Sequence, residues 1–104
     1  MDDVRVYTGT LVADLVLSHA RSMKERRKPL QALVQRLRNH DFAAAQVGPA
    51  DLAQRVFLAV GAVSGSEGQL GERLDAAERM LFASEFEVAD LQRQVTTYSD
   101  HSSS

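Results

Sequence analysis

Arg21-Ser22-Met23-Lys24-Glu25-Arg26-Arg27-Lys28 joins the end of an apolar, strand-like run to the start of an amphipathic helix. Ser22 and Glu25 have the S-x-x-E spacing of a capping box, in which each side chain satisfies a backbone N–H of the first helical turn. The stretch is therefore a helix start, and it holds five of the chain's twelve basic residues.

Upstream, residues 5–17 alternate with the period of a strand. Gly9, Leu11, Ala13, Leu15 and Leu17 lie on one side, and Thr8, Thr10, Val12, Asp14 and Val16 on the other. The first set is apolar and predicts a core-facing row. Downstream, Leu30, Leu33, Val34 and Leu37 follow the i, i+3, i+4, i+7 rule, with Met23 one heptad earlier on the same side. Pro29 removes one helical hydrogen bond and clashes with the preceding turn. Two readings follow: a helix kinked at Pro29, or a separate turn over 22–28 with the regular helix starting at Pro29. Asn39, His40 and Asp41 close it.

Residues 42–47 predict a short edge strand, and Gly48-Pro49 a turn. Residues 55–64 predict a central strand, since both Val56, Leu58, Val60, Ala62 and Phe57, Ala59, Gly61, Val63 are apolar rows. A second helix is expected over 66–83, with Leu70, Leu74, Ala77 and Leu81 buried. A last strand is expected over 86–97, with Ala89 and Leu91 inward. Residues 98–104 are polar and expected to be a disordered tail, leaving 1–97 as one domain.

The order β-α-β-β-α-β is the split βαβ arrangement of ferredoxin-like domains, an α+β class. Right-handed crossovers predict a four-stranded antiparallel sheet in the order 4-1-3-2 with two helices on one face. The opposite face then carries Val12, Val16, Phe57 and Val63 with no helix over them.

At 104 residues, 44 % hydrophobic and 25 % charged, the chain has the composition of one soluble globular domain. It contains no cysteine, which removes disulfides, thiolate metal sites and cysteine nucleophiles. The acidic Met1-Asp2-Asp3 is unlike a signal peptide, so a cytoplasmic location and no membrane association are expected. The formal charge of −2 conceals a polarity along the chain. Residues 21–38 carry seven basic residues against Glu25 alone, a net +6, so the remainder carries −8. Such a segment suggests a local anion-binding face, the other reading being a solvated helix surface.

No constellation supports catalysis. His19, His40 and His101 have no metal-ligand spacing, so no metal and no cofactor are expected. Gly61, Gly65, Gly68 and Gly71 lack the spacing, lysine and hydroxyl of a phosphate-cradling loop and fit a turn before a Ser-capped helix. Asp51 and Arg55 are expected to pair and fix their loop. With no nucleophile beside a base, the chain is read as a non-enzymatic protein.

The sequence resembles the YlxP family of small bacterial proteins of unknown function. The resemblance rests on Leu15-x-Leu17, on Ala20-Arg21-Ser22-Met23-Lys24-Glu25-x-Arg27, on Asp51-Leu52-x-Gln54-Arg55 and on Val63-Ser64. It implies a ferredoxin-like fold and a translational setting. Such proteins are often encoded beside translation initiation factor two and a ribosome-binding maturation factor. Val16 stands where a histidine is common in the family, and Val47-Gly48-Pro49 alters a loop that usually has a polar residue or histidine before the aspartate.

Two functional expectations follow. Arg21, Lys24, Arg26, Arg27 and Lys28 would hold RNA phosphates, with ribosomal RNA or the small ribosomal subunit as partner. Alternatively, Val12, Val16, Phe57 and Val63 would form the interface of a homodimer or a protein-interaction module with no nucleic-acid role. An anion at the Gly61–Gly71 junction is the reading left for a small ligand or an enzyme.

Overall fold

A computed structural model describes residues 3–100. Strands β1 (Val4–Val16), β2 (Ala43–Val47), β3 (Arg55–Ser64) and β4 (Glu87–Asp100) alternate with helices α1 (Met23–Asn39) and α2 (Glu67–Phe82) in the order β-α-β-β-α-β. They form one antiparallel sheet in the order β2-β3-β1-β4, which is the expected 4-1-3-2 read from the other edge.

The predicted inward row of β1 is buried in full: Gly9, Leu11, Ala13 and Leu15, continued by Leu17. From β3, Val56, Leu58, Val60 and Ala62 join it. Leu33 and Leu37 of α1 close the layer from above, with Leu70, Leu74, Ala77, Met80 and Leu81 of α2. Gly9 is where α2 comes closest to the sheet. A Cβ built there would sit 2.6 Å from Leu74 Cδ1, so the absent side chain is what lets Leu74 lie on the β1 backbone.

Both helices start at a serine cap. Ser22 Oγ accepts from the Glu25 N–H at 3.2 Å, and Ser66 Oγ accepts from the Gln69 N–H at 3.3 Å. The reciprocal bond of the first box is shifted by one residue: Glu25 Oε2 accepts from the Arg21 N–H at 2.8 Å, not from Ser22. Of the two readings of Pro29, the separate turn over 22–28 with a late helix start does not hold, because α1 runs through Pro29 as one helix. Met23 does not extend the buried stripe; it is 41 % exposed, beyond the cover of the sheet. The helix ends on Asp41 in the left-handed region, φ 66°, with the Phe42 N–H bonded to the Leu37 carbonyl and the Asp41 N–H to that of Arg38. That is a Schellman ending with an aspartate where glycine is preferred. Arg73 of α2 donates to the carbonyls of His40 and Asp41 and stacks on the Phe42 ring.

Strand β4 departs from the sequence reading in two ways. Leu15 pairs with Val88 and Asp14 with Asp90, so Ala89 is the extra residue of a β-bulge. The bulge changes which parity faces inward: Ala89, expected in the core, is exposed, and Val88 and Leu91 pack against it. The strand also continues to Asp100, opposite Val4, so Tyr98, Ser99 and Asp100 are ladder residues and not part of a tail. Residues 101–104 lie outside those described. The β1–β4 ribbon reaches past the end of β3, since Tyr7 is the last β1 residue paired to it. It gives the molecule extents of 58 × 23 × 20 Å. Arg93 fastens β4 to α2, with Nη1 2.7 Å from Asp75 and 2.8 Å from Glu78, and the two carboxylates push its pKa further up.

Two outcomes follow from this packing. Gly9→Ala alone should destabilise the fold by about 1–3 kcal/mol through overpacking against Leu74. In a Leu74→Ala background the same methyl enters the vacated space and should stabilise, a sign reversal that urea unfolding of the four-member cycle would read. Asp41→Gly should raise stability by roughly 0.5–1 kcal/mol by removing the left-handed cost at the helix end, visible as a higher urea midpoint at unchanged slope.

Candidate anion-binding surface

Arg21, Lys24, Arg27 and Lys28 are all exposed at the start of α1. Lys24, Arg27 and Lys28 stand at i, i+3 and i+4, so they share one side of the first two turns. None of the four is in an ion pair among the described residues, and the Glu25 carboxylate is occupied by the Arg21 N–H. The positive end of the helix dipole lies beneath them.

Arg26 does not belong to this group. It is 3 % exposed, in contrast to the surface role expected of it. The reason is its place on the helix: Arg26, Leu30, Leu33 and Leu37 follow one another at spacings of four, three and four, so Arg26 lies on the inward stripe. Its Nη2 donates to the Ala50 carbonyl at 3.4 Å, while Nε and Nη1 are buried with no partner. A cavity of about 240 Å³ adjoins it, lined by Met23, Arg26, Arg27, Leu30, Gln46 and Ala50. The stripe spacing was the sequence sign of this burial, overridden by the residue's charge.

Further along α1, a groove of about 670 Å³ separates the helix from edge strand β2, with Lys28, Gln31, Val34 and Arg38 on one wall and Ala44–Gln46 on the other. Arg38 Nη2 donates to the Ala44 carbonyl at 2.9 Å, which occupies part of that strand edge. Between the helices, Lys28, Ala32 and Arg36 face Met80 and Glu85 across a cavity of about 460 Å³.

On the other side of the sheet, Val63 is 65 % and Val12 36 % exposed, while Val16 and Phe57 are half-buried. Phe57 is shielded by the turn after β2. Gly48 has φ +68°, and a Cβ there would lie 3.3 Å from the ring. Val47 pairs with Phe57, and Ala43 and Ala45 extend the apolar strip to the β2 edge. Arg55 does not pair with Asp51 as expected. Its Nε lies 3.0 Å from Asp14 Oδ1 across the β1–β3 ladder, meeting by charge without hydrogen-bond geometry.

The remaining candidates bring no chemistry together. His19 is exposed, and His40 Nδ1 is 2.9 Å from the Arg36 carbonyl oxygen at the end of α1. His101 lies outside the described residues. Gly61 is inside β3, and Gly68 and Gly71 are inside α2, so the glycines form no single loop. Among the described residues there is no cluster of three or more His, Cys, Asp or Glu, and no helix long and apolar enough to cross a membrane.

A comparison with curated proteins gives no match. Among solved structures, the chain is similar to the de novo designed protein Ferredog-Diesel at 15 % identity and a TM-score of 0.48, over 84 % of this chain and 83 % of that one. It is similar to a structural-genomics protein, YJCS, at 13 % identity and a TM-score of 0.47, over 84 % of this chain and 96 % of that one. The family described as "Protein of unknown function (DUF503)" matches residues 8–93, and the chain belongs to that family.

Proposed function

We propose that the protein is a cytoplasmic, non-enzymatic module that holds RNA phosphates on the exposed side of α1, with ribosomal RNA or the small ribosomal subunit as partner. The supporting observation is the set Arg21, Lys24, Arg27 and Lys28: four exposed cations at a helix N-terminus with no ion-pair partner among the described residues. The resemblance to YlxP proteins and their translational setting points the same way. Contacts of this kind position a backbone and carry no base readout. The outer sheet face does not supply the paired stacking aromatics of RNA-recognition sheets, since Phe57 is half-buried under Gly48.

A second reading, the homodimer or protein-interaction module, is favoured by the strip of Val12, Val63, Val47, Ala45 and Ala43 on the uncovered face. Val16 and Phe57 contribute less than expected, because both are already half-buried within one chain.

Single-stranded RNA binding should weaken with salt at a slope near −0.7 per phosphate contact, about −3 for four cations. Lys24→Ala/Arg27→Ala/Lys28→Ala should flatten that slope by about 2 and abolish co-sedimentation with the small subunit at moderate salt. Equal behaviour of variant and wild type would remove the α1 surface from the reading. For the second reading, sedimentation equilibrium should show a dimer that Val12→Asp/Val63→Asp dissociates. A wild type monomeric at hundreds of micromolar ends it.

A further inference from the structure

We infer that Arg26 is the floor of a site for one oxyanion group, a phosphate or a carboxylate, entered through the cavity between the start of α1, Gln46 and Ala50. Arginine keeps its charge at any pH a protein meets, and its guanidinium carries five N–H donors. Here those five donors share one acceptor, the Ala50 carbonyl at 3.4 Å, at the long end of hydrogen bonding. Nε and Nη1 have none, and no carboxylate lies within ion-pair distance among the described residues. A cation withdrawn from water and left unpaired is strongly unfavourable.

An account of Arg26 as an anchor for the loop after β2 explains the Ala50 bond and leaves both other nitrogens unexplained. The surroundings complete the case for an anion. The cavity of about 240 Å³ beside Arg26 has a second cation in its wall, Arg27, and an amide, Gln46, and no acidic residue. Its remaining walls are the apolar Met23, Leu30 and Ala50. A bidentate oxyanion needs two adjacent N–H groups of the fork, which means Nη2 together with Nε or Nη1. Nη2 carries two hydrogens, so it can hold the anion with one and keep the Ala50 carbonyl with the other. Nε and Nη1 are closed to solvent, so an anion reaches them only as the residues over them shift. The site shares Arg27 with the exposed side of α1, but its floor, Arg26, does not, so it stands whether or not RNA binds there.

Thermal unfolding against inorganic phosphate and, separately, sodium acetate, each balanced with sodium chloride to constant ionic strength, tests the site. Wild type should show a saturable rise in Tm with at least one of the two, of a few degrees at tenfold the dissociation constant. Which anion acts tells phosphate from carboxylate. The response should persist in Lys24→Ala/Lys28→Ala, which removes exposed cations outside the cavity wall. It should vanish in Arg26→Met, which keeps the apolar stem, and the anion-free variant should be at least as stable as wild type. Gln46→Glu, at an exposed position, places a carboxylate at the cavity and should both raise the anion-free Tm and abolish the response. Wild type indifferent to both anions overturns the inference. So does a response that survives Arg26→Met and Gln46→Glu, or one that is lost with Lys24 and Lys28.

Discussion

Strand β1 is hydrogen-bonded on both sides, to β3 from Tyr7 onward and to β4 along its whole length, and its side-chain alternation constrains everything around it. Leu11, Ala13 and Leu15 are sealed under the helices, while Asp14 stands between them on the opposite face, beside Arg55. A slip of one residue would exchange these rows and bury Asp14 where no cation could reach it. Both neighbouring strands inherit their facing from this one. Leu58 opposite Ala13 and Val60 opposite Leu11 must point inward, which fixes Phe57 and Val63 outward. The bulge at Ala89 shows how firmly the constraint acts. The sequence of β4 is out of step with β1 near Asp14, and the ladder absorbs one residue of β4 to bring Val88 and Leu91 to the core.

Periodicity explains why so much of this fold was legible. The inward rows of β1 and β3, the stripe of α2, the two serine caps and the strand order follow from apolar spacing and handedness alone. What was missed depends on a second element meeting the first. No pattern inside residues 86–97 marks Ala89 as a bulge, because the mismatch exists only against β1. Likewise Asp51 is the acid nearest Arg55 in sequence, yet antiparallel pairing brings Asp14 next to it. Strand β4 is longer than its own sequence suggests because Tyr98 to Asp100 looks like a tail until Val4 to Val6 lies alongside.

Arg26 is a different kind of miss, since its spacing to Leu30, Leu33 and Leu37 was available in the sequence. Charge and position point opposite ways at this residue, because arginine is so rarely buried without a partner. The helix shows that position won. Seven of the eight residues 21–28 are at least partly open to solvent, and the eighth carries a guanidinium inward beneath Ala50. The same segment thus has two electrostatic faces. The outer one is screened by water and salt, where each cation contributes little alone. The inner one is desolvated, where a single charge dominates its surroundings.

The layered architecture also settles how the two surfaces of the molecule relate. Both helices cover one side of the sheet, so the cations of α1 and the strip from Val63 to Val47 face in opposite directions. A second copy packed on the bare face would leave both α1 surfaces outward, on the far sides of the pair, with neither blocking the other. The sheet edges are less symmetric. At β2 the Arg38 side chain occupies the Ala44 carbonyl and α1 overhangs the strand, which guards that edge against further pairing. At β4 the outer edge runs from Glu87 to Asp100 with neither proline nor lysine in it; the bulge at Ala89 interrupts it, and the Leu91 N–H donates to Asp90 Oδ1 at 2.9 Å. The strand is held by β1 on its other side along its whole length. Association through β4 would leave both the bare face and α1 untouched, so the position of a disrupting substitution separates it from a contact made through the sheet face.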